Sequence, residues 1–385
     1  MNYILFDDNR THLLPLTYTR PVSEIRLGIL TITEKWQMAL SSTMSFLTEN
    51  YLSSKYPLTM LDDNVWINGS ICPNLNLVNA ILDLQSNQCL IKNQTIIAYR
   101  SDCKEVPENT LEFHDSFTQI NRLVDIFSNN HHCIELDFES LTKNRISQKL
   151  SSSNQLISPE HIFIEEGAVV EHAILNASNG PIYIGKNAEI MEGCLIRGPL
   201  AMCEHSVLKM GAKIYGATTI GPFCKVGGEV TNSVFQSYSN KGHDGFLGNS
   251  VIGEWCNLGA DTNNSNLKNN YAEVKLWNYS HDRFENTGLQ FCGLVMGDHS
   301  KCGINTMFNT GTVVGVSANI FGAGFPRNFI PSFSWGGSSG FSTFKLNKAF
   351  EVVSKSMQRR SKLLDEVEKT ILEQVFELSN SYRKD

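Results

Sequence analysis

Through the middle of the chain, apolar residues recur every six positions without a break: Ile184, Ile190, Ile196, Met202, Leu208, Ile214, Ile220 and Val226. Four places after each stands a second inward candidate, mostly small: Ala188, Cys194, Leu200, Ser206, Ala212, Thr218, Cys224 and Val230. The spacing returns at Phe246, Ile252 and Leu258, and again at Met296, Cys302, Phe308, Val314 and Ile320. A period of six fits neither the helical repeat nor the alternation of a single strand. It is the hexapeptide pattern of a parallel β-helix, in which each hexapeptide forms one short side of a triangular coil. One coil cannot bury its own apolar face, so the coils must stack.

The pattern divides the chain into three parts. Residues 1–155 carry no six-residue period. Residues 2–6 read as a buried first strand, residues 25–47 carry apolar positions at helical spacing, and residues 65–67 and 96–100 read as short strands. Strands alternating with helical stretches predict an α/β domain. The polar segment Ser151-Ser152-Ser153-Asn154-Gln155 is a linker candidate. Residues 156–340 hold the β-helix, with coils expected from about 164 to 320. The phase breaks between Val226 and Phe246. It breaks again over residues 263–292, a polar and aromatic stretch expected to leave the coil. Residues 322–340, rich in Gly, Ser and aromatics, read as an ordered loop on the end of the stack. Residues 341–385 form an amphipathic helical tail, with Phe350, Val353, Met357, Leu364, Val367, Ile371 and Val375 at mostly three- to four-residue spacing. Such a tail either caps the coils or packs on a neighbouring subunit.

Composition adds bounds. A chain of 385 residues, 41% hydrophobic and 18% charged, is an ordinary globular sequence with room for two domains. The net charge of −7 gives no reason to expect nucleic-acid binding. The ten Cys form no CxxC pair, and several sit on the hexapeptide phase, where Cys acts as a small buried hydrophobe. That usage predicts a reducing, cytoplasmic setting. The opening MNYILFDDNR lacks a basic region followed by a long apolar run, so no signal peptide is expected. No stretch approaches the roughly 18 apolar residues of a membrane span. His205, His281 and His299 fall on no ligand spacing, and no metal site is expected from them.

Two segments carry a resemblance. Residues 242–266 read GHDGFLGNSVIGEWCNLGADTNNSN. His243, Phe246 and Gly248, then Asn257, Gly259, Ala260, Thr262 and Asn266, stand at the positions of a His-Tyr-Gly and Asn-Φ-Gly-Ala-Gly-Thr signature. This resembles the acetyltransferase domain of the bifunctional N-acetylglucosamine-1-phosphate uridyltransferase and glucosamine-1-phosphate N-acetyltransferase (GlmU-type) family. The N-terminal region is similar to that family's nucleotidyltransferase domain. It has a first strand, Ile4-Leu5-Phe6, then Thr11-His12-Leu13-Leu14-Pro15-Leu16-Thr17 and Arg20-Pro21. The resemblance implies a Rossmann-like α/β nucleotidyltransferase domain followed by a left-handed β-helix acyltransferase domain with a C-terminal helix. It implies acetyl transfer from acetyl-CoA to glucosamine 1-phosphate, with uridylyl transfer and a Mg²⁺ ion as possibilities for the first domain. Sugar phosphate and nucleotide are the expected partners, and a homotrimer the expected assembly.

The resemblance gives His243 the role of general base, since an amino sugar must lose a proton and imidazole titrates near neutral pH. Asn257 and Asn266 are implied as positioning amides, Ala260 as space for the acetyl group, and Phe246 as stacking surface without the family's hydroxyl. The family's phosphate-binding Lys falls on Thr231; Lys225, Lys241 or a lysine within residues 268–275 can replace it, and Lys241 is the substrate-binding candidate. Arg327, after the last coil, is the candidate for a coenzyme A phosphate. In the first domain the Gly-rich turn is Asp7-Asp8-Asn9-Arg10, the catalytic Arg position is His12, and the metal-binding Asp position is Ser70. Asp7, Arg10 and Arg20 are the charged candidates there for nucleotide. Two rival readings follow: a nucleotidyltransferase using the β-helix as an oligomerisation scaffold, and a non-catalytic nucleotide-sugar-binding regulator.

Overall fold

The computed structural model, which describes residues 1–383, coils residues 155–337 into a left-handed parallel β-helix with three faces. The first face runs as nine strands from Ile162–Ile164 to Phe329–Ile330. The second runs from Val169–Val170 to Ser334–Gly337, and the third from Gln155–Ile157 to Phe246–Gly248. Register explains the period. Ile184, Met202 and Ile220 stack in one inward column, Ile190, Leu208 and Val226 in the next, Ile196, Ile214 and Val230 in the third. Each sequential hexapeptide therefore supplies a different wall.

Several boundaries differ from the expectation. The coils begin at Gln155, before 164, because Leu156 already pairs with Leu175. They continue without interruption through 226–246: Val230, Phe235 and Lys241 hold the inward places, and only the corners shorten. Leu247, not Phe246, is the inward residue of the third face, paired with Val230 and 1% exposed. Residues 322–340 are not a loop alone. They form the last coil and a closing hairpin, Ser334–Gly337 with Gly340–Thr343. Asn263 and Asn264 still belong to the coil, paired with Met307 and Phe308; the chain leaves it after them and forms the antiparallel arm Lys275–Asn278 and Arg283–Asn286.

The first domain is a six-stranded sheet in which the edge strand Met44–Leu47 and the next two, Asn2–Phe6 and Asn64–Asn68, are parallel. The helical spacing over 25–47 yields a shorter helix than expected. α1 covers only Ile32–Leu40, started by a capping box between Thr31 and Glu34. Before it lies a tight antiparallel pair, Arg26–Leu27 with Leu30–Thr31. Its turn needs Gly28, at φ 80°, because a Cβ there would meet the Cys133 carbonyl oxygen at 2.8 Å. α2 (Leu75–Leu82), α3 (Leu123–Ser128) and α4 (Asn130–Thr142) complete the domain.

This domain does not sit on the end of the β-helix. It lies along the first face. Ile29 and Ile134 pack on Phe163, Tyr183, Ala201 and Ala217, which point outward from consecutive coils. Polar contacts continue the seam: Thr219 Oγ1 donates to the Gly28 carbonyl at 2.8 Å, and the Arg26 N–H donates to Gln236 Oε1 at 2.8 Å. Further along, the Arg20 guanidinium pairs with Asp298 and stands 3.3 Å from Glu254. The tail forms two helices, α5 (Leu346–Gln358) and α6 (Glu366–Leu378). Ala349, Val353 and Met357, then Ile371, Leu372 and Val375, face inward and join one core with the first domain. Among the described residues no helix is long and apolar enough to cross a membrane.

Candidate functional site

Along the second face, the residue just before each inward position points outward. Lys225, Asn240, Asn257 and Lys301 follow one another in register along that row. The end of α5 lies opposite, bringing Arg359 and Arg360. Together they enclose a cleft of about 750 Å³ whose lining includes Lys209, His243 and Ala260. Arg360 Nη2 donates to Asn240 Oδ1 at 3.0 Å and fixes the tail against the coil. Among the described residues, no carboxylate lines the cleft. The electrostatic consequence is visible in Lys225, whose ammonium is pushed below its usual range by burial and then by Arg360, Lys209 and Arg359. Gathered unneutralised cations are the signature of a place for an anion.

Tyr238 and Trp255 line one wall of the cleft and belong to a longer ladder of rings. His205, Phe223, Tyr238, Trp255 and His299 occupy the same corner of successive coils, each in the left-handed conformation that lets the chain turn. Their rings stack, with Tyr238 and Trp255 at 4.2 Å between centroids. His299 is buried at the end of this ladder, and burial pushes its imidazole down to about 3, so it is neutral at physiological pH.

His243 stands at the next corner, between the second and third faces. It is exposed, and its imidazole has no hydrogen-bond partner among the described residues. Asn257 and Ala260 share its cleft. Phe246 and Asn266 do not. They lie round the corner on the third face, where ring and amide meet over Gly248, whose Cβ would clash with both at 2.7 and 2.6 Å. Asn266 Nδ2 donates to Asn249 Oδ1 at 2.8 Å. Thr231 is on that third face as well, paired with Gly248. Lys241 is not in the cleft but inside the coil, 1% exposed. Arg327 lies in a separate open depression of about 630 Å³ with Lys268 and Lys275.

The charged residues of the first domain are occupied internally. Asp7 accepts from the Val22 N–H at 2.7 Å and from Thr48 Oγ1 at 2.5 Å, and burial raises its carboxyl. Arg10 donates to the Thr17 carbonyl and, at 2.6 Å, to the Tyr51 hydroxyl. Arg20 is buried against Asp298, a residue of the other domain. Ser70 donates to Asn68 Oδ1 at 2.7 Å and accepts from Gln119 Nε2 at 3.0 Å, and Asn68 Nδ2 donates to the Asp8 carboxylate at 2.8 Å. One carboxylate, already bonded to an amide, beside a hydroxyl and two carboxamides is a poor donor set for a magnesium ion. Among the described residues no cluster of three or more His, Cys, Asp or Glu forms a metal site. The arm from the β-helix also lies over this turn: Ser280 Oγ donates to Thr11 Oγ1 at 2.7 Å, and the His12 and His281 rings are 5.5 Å apart.

Sequence reasoning missed Lys209, Lys301, Arg359, Arg360 and the aromatic ladder. The outward row was legible in principle, as the position before every third inward residue. The two arginines carry no local signal; they reach the cleft only because α5 folds back.

Comparison with known proteins agrees with this two-part architecture. Residues 3–146 match the family model described as Sugar nucleotidyl transferase. An uncharacterized acetyltransferase, YaiX, of Escherichia coli is 24% identical over 178 residues, 46% of this chain and 75% of that protein. The bifunctional protein GlmU of Methanocaldococcus jannaschii is 31% identical over 118 residues, covering 31% of this chain and 26% of the relative. A bifunctional sugar-1-phosphate nucleotidylyltransferase/acetyltransferase of Sulfurisphaera tokodaii is 30% identical over 144 residues, covering 37% and 35%. The matched segments thus span only about a quarter to a third of these bifunctional relatives. Residues 3–146 thus match a sugar nucleotidyl transferase domain, and its junction with a hexapeptide β-helix makes the chain similar in architecture to the bifunctional GlmU-type proteins.

Proposed function

We propose that this chain is a cytoplasmic transferase that moves the acetyl group of acetyl-CoA to the amine of glucosamine 1-phosphate, in the cleft beside His243. The observation that carries the reading is the unbonded imidazole of His243 at the mouth of a cleft lined by five cations and Asn257. Acceptor and donor both bring phosphates, which such a lining favours. In the proposed reaction the amine nitrogen attacks the thioester carbonyl. His243 takes the proton the nitrogen must lose, the C–N bond forms, and the C–S bond breaks. The proton then passes to the departing sulfur. Asn257 holds the acceptor through its amide. Arg327 with Lys268 and Lys275 supports a second phosphate contact for the coenzyme. A homotrimer is the proposed assembly, formed through surfaces other than the first face.

The internally bonded network of Ser70, Asn68 and Asp8 and the internal bonds of Asp7, Arg10 and Arg20 favour a first domain that contributes structure rather than uridylyl transfer. The test is a pH series of steady-state acetyl transfer. His243→Ala should lower turnover about a hundredfold or more, with partial rescue at high pH where the amine is already deprotonated. Asn257→Ala should raise the acceptor KM instead. Unchanged turnover in His243→Ala would leave the scaffold reading in possession.

A further inference from the structure

The inward column of the second face holds Val170, Ile190, Leu208, Val226, Lys241, Leu258 and Cys302. One member is charged. Lys241 puts an ammonium where the hexapeptide pattern asks for an aliphatic group. Its Nζ donates to the Gly227 carbonyl, on the coil beneath, at 3.1 Å and to the His243 carbonyl at 2.9 Å. Among the described residues no carboxylate bonds it. Asp244, Asp261 and the Cys302 thiol act on it from further off, and burial outweighs them, pushing the ammonium down to about 8. A buried ammonium without a salt bridge costs the fold stability. An aliphatic side chain would serve the column better, so what Lys241 supplies is a donor to the two carbonyls.

Those carbonyls belong to tightly fitted turns. A Cβ on Gly227 would stand 3.0 Å from the Gly242 oxygen, and one on Gly228 2.9 Å from the His243 oxygen. Main chain thus lies directly on main chain, with the ammonium bonded to both layers from inside.

We infer that Lys241 is a positioning residue for His243: from inside the coil it ties the His243 peptide to the turn below and so sets where the imidazole stands at the mouth of the cleft. The inference rests on the proposed acetyl transfer for its kinetic consequence, not for its structural one.

The experiment compares wild type with Lys241→Met and Lys241→Gln by two readouts. Amide hydrogen exchange at Gly227, Glu229 and Asp261, whose N–H groups donate to the Lys241, Gly245 and Asp244 carbonyls of that turn, needs no activity. Steady-state kinetics are measured in the wild-type and His243→Ala backgrounds. In Lys241→Met, exchange at those three amides should rise tenfold or more while the remaining coils keep their protection. Turnover should fall tenfold or more with the acetyl-CoA KM within twofold. Added to His243→Ala, the same substitution should cost less than twofold, because it acts through the residue already removed. Lys241→Gln keeps an N–H donor and should fall between, and it carries the test if the Met variant does not fold. Unchanged exchange at Gly227, Glu229 and Asp261, or a full additive loss in the His243→Ala background, overturns the inference. Altered exchange in a protein that transfers no acetyl group upholds the positioning and refutes the acetyltransferase reading instead.

Discussion

Asp298→Ala should destabilise the whole molecule more than any surface change. The carboxylate is 3% exposed and accepts from three donors: Thr19 Oγ1, the Arg20 guanidinium, and the Glu254 N–H at 2.7 Å. Burial works against the Arg20 charge, and Asp298 and Glu254 outweigh it. Without Asp298, the buried guanidinium keeps only Glu254 at 3.3 Å, on a side chain still 27% exposed. Removing one member of a buried pair costs about 3–5 kcal/mol, because the other charge is left stranded. Replacing both members by apolar groups is much cheaper, so Arg20→Met with Asp298→Leu should recover part of the loss. Urea unfolding of the four proteins of the cycle gives the coupling, expected at about 2 kcal/mol or more. The single substitution should also split the transition, as the two domains lose their shared seam. A loss below about 1 kcal/mol, or additive effects, would mean that water reaches Arg20 and that the domains part easily.

Four further outcomes follow from the same structure. Arg359→Ala and Arg360→Ala should each raise the KM of a phosphate-bearing substrate about three- to thirtyfold with little change in kcat, and added salt should shrink the difference; a kcat effect alone would place these residues elsewhere in the cycle. Pyrophosphate release from UTP with Mg²⁺ and sugar 1-phosphates should stay near background, and robust turnover would refute the structural reading of Ser70 and Asp7. Sedimentation equilibrium should report about three subunits, whereas a clean monomer would remove any model with sites shared between chains. Lys241 sets a pH signature. Its folded value, about 8, lies below the ordinary lysine value of 10.5, so the unfolded chain binds more protons between them. Wild type should therefore gain stability over Lys241→Met as pH rises from 8 to 10.5, by at most about 3 kcal/mol, and lose it again as pH falls. Parallel stability curves would show that the ammonium is solvated.

The β-helix was legible because its geometry leaves the sequence little freedom. Every sixth side chain enters a narrow interior, so Ile184 through Val226 had to be apolar. The pattern failed where the interior is polar or the corners shorten. Lys241 occupies an inward place and the corners shorten, and this hid the coil between 226 and 246 and shifted the reading to Phe246 in place of Leu247. The candidate site was legible only near His243. Asn257 and Ala260 reach its cleft, while Phe246 and Asn266 have the right spacing but the next face. A one-residue slip turns a strand side chain to the opposite side, and a corner carries the following residues to another wall. Spacing alone does not separate these cases. Arg359 and Arg360 needed the tertiary fold of the tail. The seam between domains was invisible too, because Phe163 and Tyr183 read as ordinary strand residues until Ile29 and Ile134 cover them.

That seam makes the first domain a measuring rod. A stack of coils is ordinarily free to lengthen or shorten, since each repeat contacts only its neighbours. Here Gly28 meets Thr219, Arg26 meets Gln236 on the following coil, and Arg20 meets Glu254 and Asp298 on the two after that. Reading backward along one segment counts forward along the stack. A coil duplicated or deleted between Thr219 and Asp298 would move each later partner by one strand spacing, about 4.8 Å, further than a hydrogen bond can follow. Repeat number in this stretch is therefore fixed by a domain that contains no repeats, while coils before it carry fewer such ties. Variation in length among related chains should gather where the rod does not reach.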